Sequence, residues 1–275
     1  MSSLGDGSLA ATLPVMSDLL EPFHSSPSDA GIFADFDGTL SEIAHLPHEA
    51  RPIEGAVEIL GRLGQRFGLV AIVSGRSAAQ LSEWLGPSIE IWGTHGAEFA
   101  HGGSISLTEQ AARYEELMAR VRDEAVRMVD DLGIEGVVVE DKRVMVGLHF
   151  RAATDVENAR SVLDRIAHEL ADRHGLLRAG GRLAFELRPP EEFSKAAVVL
   201  KRARELELDA AMFIGDDRVD LPGFDALDLL AEEGVATARV AVSSDEVPKE
   251  LIDRADVVVE NPGAALDFLR GLLDP

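Results

Sequence analysis

The chain has 275 residues, 46% hydrophobic and 27% charged, a balance that suits a folded protein with one large domain or two small ones and excludes a disordered or fibrous chain. With 26 basic against 49 acidic residues the formal net charge is −23, which excludes long-range attraction to nucleic acid or to anionic membranes, so an anionic substrate must be captured locally. The absence of cysteine removes disulfides, thiolate catalysis and Cys-based zinc sites together, and it fits a cytoplasmic setting.

No lysine or arginine precedes Arg51, which argues against a basic secretory start or an Arg-rich transit peptide. Apolar runs such as the one around Ile72 fall far short of the ~20 residues of a membrane span. The expectation is a soluble, cytoplasmic protein.

Residues 1–28 are rich in Ser, Gly, Asp and Pro, with a weak helical spacing of Leu9, Leu13, Met16 and Leu20; they read as a tail with a possible docking helix. From Gly31 short apolar runs alternate with helix-period segments. Strands are predicted over residues 31–35, 69–73, 89–93, 211–214, 239–242 and 257–259, and helices over 54–67, 78–85, 195–206 and 263–272. This alternation predicts an α/β fold, a Rossmann-like parallel sheet with helices on both faces, formed by residues 29–103 and 190–275.

Residues 104–189 have a different rhythm, α-β-β-α-β-β, and read as an inserted α+β cap domain joined to the core near Gly102-Gly103 and Pro189-Pro190. Its helices are marked by Leu117, Val121, Ala125, Met128 and Leu132, and by Val162, Leu163, Ile166 and Leu170. A period of two places Val144, Val146, Leu148 and Phe150 on one sheet face, with Met145, His149 and Arg151 on the other. Leu183, Phe185 and Leu187 likewise oppose Glu186 and Arg188. The polar face is either a sugar-binding surface or a solvated one, as antiparallel sheets often present.

Four segments carry candidate chemistry. Phe33-Ala34-Asp35-Phe36-Asp37-Gly38-Thr39-Leu40 ends an apolar strand with two aspartates that can act on one ligand. Ile72-Val73-Ser74-Gly75-Arg76 sets a hydroxyl between a strand and a helix, where it fits an anion contact or a helix N-cap equally well. Lysine is scarce, and Lys195 stands at a predicted helix start, where a cation is misplaced unless an anion is near. Phe213-Ile214-Gly215-Asp216-Asp217-Arg218-Val219-Asp220 crowds three carboxylates into five positions, which invites a hard cation such as Mg²⁺ over zinc.

Taken in order, Asp-x-Asp-Gly-Thr, Ser, Lys and Gly-Asp-Asp-x-x-Asp at successive strand ends resemble the haloacid dehalogenase superfamily of phosphatases. Ligands of open parallel sheets bind beyond those strand ends. Trp92-Gly93-Thr94-His95-Gly96-Ala97-Glu98, Val139-Glu140-Asp141-Lys142, Leu148-His149-Phe150-Arg151 and Phe185-Glu186-Leu187-Arg188-Pro189 are similar to sequence blocks of trehalose-6-phosphate phosphatases. The resemblance spans roughly residues 31 to 270.

What the resemblance implies is hydrolysis of trehalose 6-phosphate through an aspartyl-phosphate, with Asp35 as nucleophile, Asp37 as acid and base, and Lys195 supplying charge. Mg²⁺ would be held by Asp35, the Asp37 backbone carbonyl and Asp216, with Asp217 and Asp220 as further candidates. Ser74, with Gly75 and Arg76, would bind phosphoryl oxygens. Glu140, Lys142, Arg151 and Glu186 would read the sugar, helped by His95, Gly96 and Glu98. Closure of the inserted domain over the substrate would exclude water. The substrate would come from a separate trehalose-phosphate synthase. The sequence departs from the family pattern where Val219 and Leu221 flank Asp220 and Ala196 follows Lys195. Two other readings share these residues: a phosphatase of sucrose-, mannosylglycerate- or glucosylglycerate-phosphate, and a catalytically idle sugar-phosphate binder.

Overall fold

The structure is a computed structural model that describes residues 13–44, 49–180, 183–190, 193–244 and 247–274. Leu9, part of the expected docking pattern, lies outside the described residues. The chain divides into two compact units, residues 1–105 with 194–275, and residues 106–193.

The first unit begins with α1 (Leu13–Ser25), which packs Phe23, fully buried, into the core. Then come β1 (Ala30–Ala34), α2 (Ala56–Arg66), β2 (Leu69–Val73), α3 (Ala78–Leu85), β3 (Glu90–Gly93), β4 (Glu98–His101) and β5 (Ser104–Leu107). The second unit holds α4 (Glu109–Ala112), α5 (Glu115–Leu132), β6 (Val138–Asp141), β7 (Val146–His149), α6 (Val156–His174), β8 (Leu177–Gly180) and β9 (Ala184–Arg188). The chain returns with α7 (Lys195–Glu205), β10 (Ala210–Gly215), α8 (Leu221–Glu232), β11 (Ala236–Val242), α9 (Lys249–Arg254), β12 (Val257–Val259) and α10 (Pro262–Gly271).

The main sheet has the order β12-β11-β10-β1-β2-β3-β4-β5. Its first six strands pair in parallel, and β4 joins β3 antiparallel. Alternation along β1 sends Ile32 and Ala34 into a core with α2, α3 and α10, and Phe33 into the opposite core with α7, α8 and α9. Both faces are therefore covered, which explains strands that read as continuous apolar runs.

Gly102 and Gly103, at φ 59° and 82°, form the tight turn of the β4–β5 hairpin. The compact units divide at residues 105/106 and 193/194, within a few residues of the glycine pair and of Pro189-Pro190. Helices α8 and α9 were not predicted. Pro222 in the first turn suits the start of α8, where the missing N–H of proline costs nothing.

The second unit is a four-stranded antiparallel sheet, β6-β7-β9-β8, covered on one face by α5 and α6. Val146, Leu148, Phe150, Phe185 and Leu187 fill that interface. The predicted alternation holds in β7 and in β9, but not at the two residues that flank β7 on its polar side. Met145 is buried in the preceding turn, and Arg151 lies exposed beyond the strand end, so neither shares the polar face. Because Leu148 is fully enclosed between sheet and helices, Leu148→Ala should cost about 2–5 kcal/mol, read as a lower urea midpoint at unchanged slope.

Candidate active site

The ends of β1 and β10 lie side by side, in a register that pairs Ala34 with Ile214 and lets Asp35 N donate to Ile214 O at 2.9 Å. Asp35 and Asp216 therefore leave the same edge of the sheet together. Ser194 caps α7 by accepting from Ala197 N, and the first helical residue, Lys195, turns inward and is only 2% exposed. Its Nζ lies 2.6 Å from Asp35 Oδ1 and 2.6 Å from Asp220 Oδ1.

Asp220 is fully buried. Its second oxygen accepts from Asp216 N at 2.9 Å and Asp217 N at 3.0 Å, so it braces the loop after β10 while pairing with the ammonium. Asp217 lies exposed and caps the short 3-10 turn Arg218–Asp220 by accepting from Arg218 N. Sequence reasoning set Asp217 and Asp220 on equal terms as metal candidates; only Asp220 converges with Asp35 and Asp216, oxygens of the three lying within 4.8 Å of one another. Thr39, not singled out from sequence, donates to Asp216 Oδ1 at 3.4 Å.

One ammonium faces three carboxylates. Burial pushes the Asp35 carboxyl up to about 7, with Lys195 opposing the rise and Asp220 adding to it. Burial, then the charges of Asp35 and Asp220, push Asp216 up to about 8. Burial alone would lower the Lys195 pKa, but Asp220 and Asp35 hold it above its ordinary value. An all-oxygen donor set with an excess of buried negative charge fits a hard divalent cation.

Asp37 stands apart from this cluster. Its half-exposed carboxylate accepts from Arg76 Nε and from Arg76 Nη2, each at 2.6 Å. Ser74 is buried and its Oγ accepts from Arg76 N at 3.3 Å; the helix cap of α3 is Ser77, so the capping alternative for Ser74 does not hold. His95 has φ 58° and its ring lies against Gly75, where a Cβ would stand 3.0 Å from Cε1. Gly96 and Glu98, expected to help read the sugar, face the interior. Gly96 packs against Val198 of α7, and Glu98, 3% exposed, accepts from Ala78 N and Thr94 Oγ1. Glu98 thus ties the first turn of α3 to the loop after β3.

On the polar face of the second unit, Glu140, Gly147 and Glu186 form one cross-strand row. Lys142 Nζ is 2.9 Å from Glu186 Oε1, His149 Nε2 is 2.7 Å from Glu140 Oε2, and Arg188 Nε donates to Glu186 Oε2 at 2.6 Å. The hydrogen bond with His149 holds the Glu140 carboxyl below its ordinary value. A side chain at Gly147 would collide with His149 and Glu140, so the row has a notch at its centre. Arg151 is not part of this network of ion pairs.

A model of the trehalose-phosphatase family matches residues 33–255. A trehalose-phosphate phosphatase of Mycobacterium avium is 39% identical over 207 residues, 71% of this chain and 51% of that protein, and one of Mycobacterium leprae is 36% identical over 71% of this chain and 47% of its own length. The chain thus spans about half the length of the curated relatives it matches. Among solved structures, a trehalose-6-phosphate phosphatase related protein superposes with a TM-score of 0.72 at 25% identity, covering 88% of this chain and 96% of the other. The C-terminal domain of the Candida albicans trehalose-6-phosphate phosphatase has the same fold, with a TM-score of 0.71 at 22% identity and 99% of each chain covered.

The raised carboxyls set a pH dependence. Between the ordinary aspartate value of 3.8 and about 8, the unfolded chain has released the proton that folded Asp216 retains, so stability falls as pH rises through that window. Without divalent cation, the wild type should melt at a lower temperature at pH 8 than at pH 6, and Asp216→Asn should flatten that slope and raise the melting temperature at pH 8. A divalent cation should stabilise the wild type and leave the variant unmoved, as calorimetry would record.

Proposed function

The chain belongs to the trehalose-phosphatase family, and on that premise we propose that it is a Mg²⁺-dependent phosphatase that hydrolyses trehalose 6-phosphate to trehalose and phosphate. The observation that carries this reading is the buried contact of Lys195 Nζ with Asp35 at 2.6 Å, beside the converging carboxylates of Asp216 and Asp220. A binding module has no need of a nucleophile set against a fixed cation.

In this reading Asp35 attacks phosphorus, the bond from phosphorus to the sugar oxygen breaks, and Asp37 gives that oxygen its proton. Asp37 then takes a proton from the water that hydrolyses the aspartyl-phosphate, restoring both residues. Ser74 and the backbone N–H groups of Gly75 and Arg76 hold phosphoryl oxygens, while Lys195 supplies the positive charge that attack of one anion on another requires. Asp35, Asp216 and the Asp37 backbone carbonyl would hold Mg²⁺, which when bound neutralises phosphoryl charge. Asp220, with one oxygen on Lys195 and the other on backbone N–H groups, serves chiefly to orient the site.

The sugar is read by the polar sheet face of the second unit, where Glu140, Lys142, His149 and Glu186 offer donors and acceptors around the Gly147 notch. Groups arranged to bond hydroxyls reject analogues that lack them. No helix among the described residues is long and apolar enough to cross a membrane. The reading places the enzyme in the cytoplasm, with its substrate made by a separate synthase.

Phosphate release from trehalose 6-phosphate should exceed that from sucrose-, mannosylglycerate- and glucosylglycerate-phosphates, and Asp35→Asn should abolish it. Equal turnover of another sugar phosphate would reassign the substrate. Calorimetric binding without phosphate release would make the protein a binder. Lys142→Ala should raise KM for trehalose 6-phosphate about tenfold, a loss of the size expected for one charge-assisted bond.

A further inference from the structure

The side chain of Arg76 is 11% exposed, and its guanidinium does not lie free for a ligand. Nε and Nη2 grip the two oxygens of Asp37 at 2.6 Å each, and Nη1 donates to Gln80 Oε1 at 3.2 Å. The guanidinium carbon lies 5.2 Å from the ring centre of Trp84 and 5.7 Å from that of Phe36, and these two rings stack at 5.4 Å. Planar fork, carboxylate and aromatic platform together leave one orientation for the Asp37 carboxylate.

The backbone of Arg76 is pinned as firmly. Its carbonyl accepts from Thr94 N at 2.7 Å, and a Cβ on Gly93 would come within 2.8 Å of that carbonyl, so only glycine admits the approach. Thr94, at φ 48°, is held in turn by the Glu98 carboxylate. The sequence assigns Arg76 to phosphate; the geometry spends it on a neighbour 39 positions away.

We propose that Arg76 is a positioning residue for proton transfer: it fixes the Asp37 carboxyl toward the leaving sugar oxygen and does not itself serve mainly as a phosphate ligand. This rests on the phosphatase reading above. The reaction is unaltered: one Asp37 oxygen, protonated and released from Arg76, gives its proton to the departing oxygen as the phosphorus bond breaks, while the other stays on the guanidinium. What Arg76 supplies is the aim of that carboxyl, the kind of preorganisation on which a misplaced group loses rate.

The test compares a leaving group that needs a proton with one that does not. Arg76→Ala and Arg76→Lys, checked for folding by thermal melting, are assayed with Mg²⁺ on trehalose 6-phosphate and, in the pre-steady state, on p-nitrophenyl phosphate, whose first burst reports only the aryl-releasing step. Proton transfer by a positioned group is worth about 10²–10⁴-fold. Arg76→Ala should therefore lower kcat on the sugar phosphate about 100-fold, at least tenfold more than it lowers the aryl burst, with little change in KM, and Arg76→Lys should fall between the two. Equal losses on both substrates, or a loss confined to KM, would overturn the proposal in favour of a structural or phosphate-binding role. A wild type that turns over neither substrate would overturn the phosphatase reading itself, whereas an Arg76→Ala enzyme as fast as an active wild type would overturn this inference alone.

Discussion

Lys195 Nζ sits 2.6 Å from Asp35 and 2.6 Å from Asp220, with all three side chains nearly shut off from water. An ammonium carried into a protein interior alone would cost several kcal/mol, and so would either carboxylate. Each is tolerable because the others are there. The consequence is rigidity. Asp220 also accepts two backbone N–H groups of the loop after β10, so the partner that shares the ammonium with Asp35 is part of the loop that presents Asp216. Removing Lys195 leaves buried carboxylates without compensation, at a cost of about 3–5 kcal/mol, whereas removing one aspartate leaves the ammonium paired with the other.

The parallel sheet makes this arrangement possible at little expense. Neighbouring strands β1 and β10 end at one edge, and both deliver an aspartate as their first residue beyond the ladder. Helix α7 brings the lysine to the same place from its N-terminus, an end where the backbone dipole disfavours a cation and only nearby anions make it welcome. Burial then pushes the carboxyls of Asp35 and Asp216 upward, so the fold carries unfavourable negative charge at a cluster whose oxygens could hold a cation.

Much of this is legible in the sequence because it depends on local pattern. Residues 69–73, 78–85 and 257–259 match β2, α3 and β12 in their limits, since apolar runs bounded by Gly, Ser and Asp leave little choice. Asp35, Asp216 and Lys195 are visible as charges at strand ends and at a helix start. What escapes is whatever depends on a partner distant in the chain. Glu98 looks like a sugar contact until Ala78 N is found against it, and Arg76 looks like an anion ligand until Asp37 is found in its grip. Gly102-Gly103 turns a hairpin between β4 and β5, two strands that the apolar patterning does not reveal. The departures at Val219 and Leu221 also become intelligible: Val219 is half exposed, Leu221 packs into the core, and Asp220 between them closes the reciprocal cap with Asp217.

The stack of Phe36, Trp84 and Arg76 has an optical consequence. The chain contains two tryptophans, and one of them, Trp84, shares its ring face with the guanidinium that holds Asp37. Arg51 lies over the same indole at 5.2 Å. The excited state of an indole responds to nearby charge, so emission from this residue is a native gauge of how the guanidinium is seated. The second tryptophan, Trp92, sits in a charged setting of its own, with its Nε1 donating to Glu90 and the Lys201 ammonium 5.4 Å from its ring centre. The seating of the guanidinium on Asp37 can thus be followed from Trp84 with no label attached.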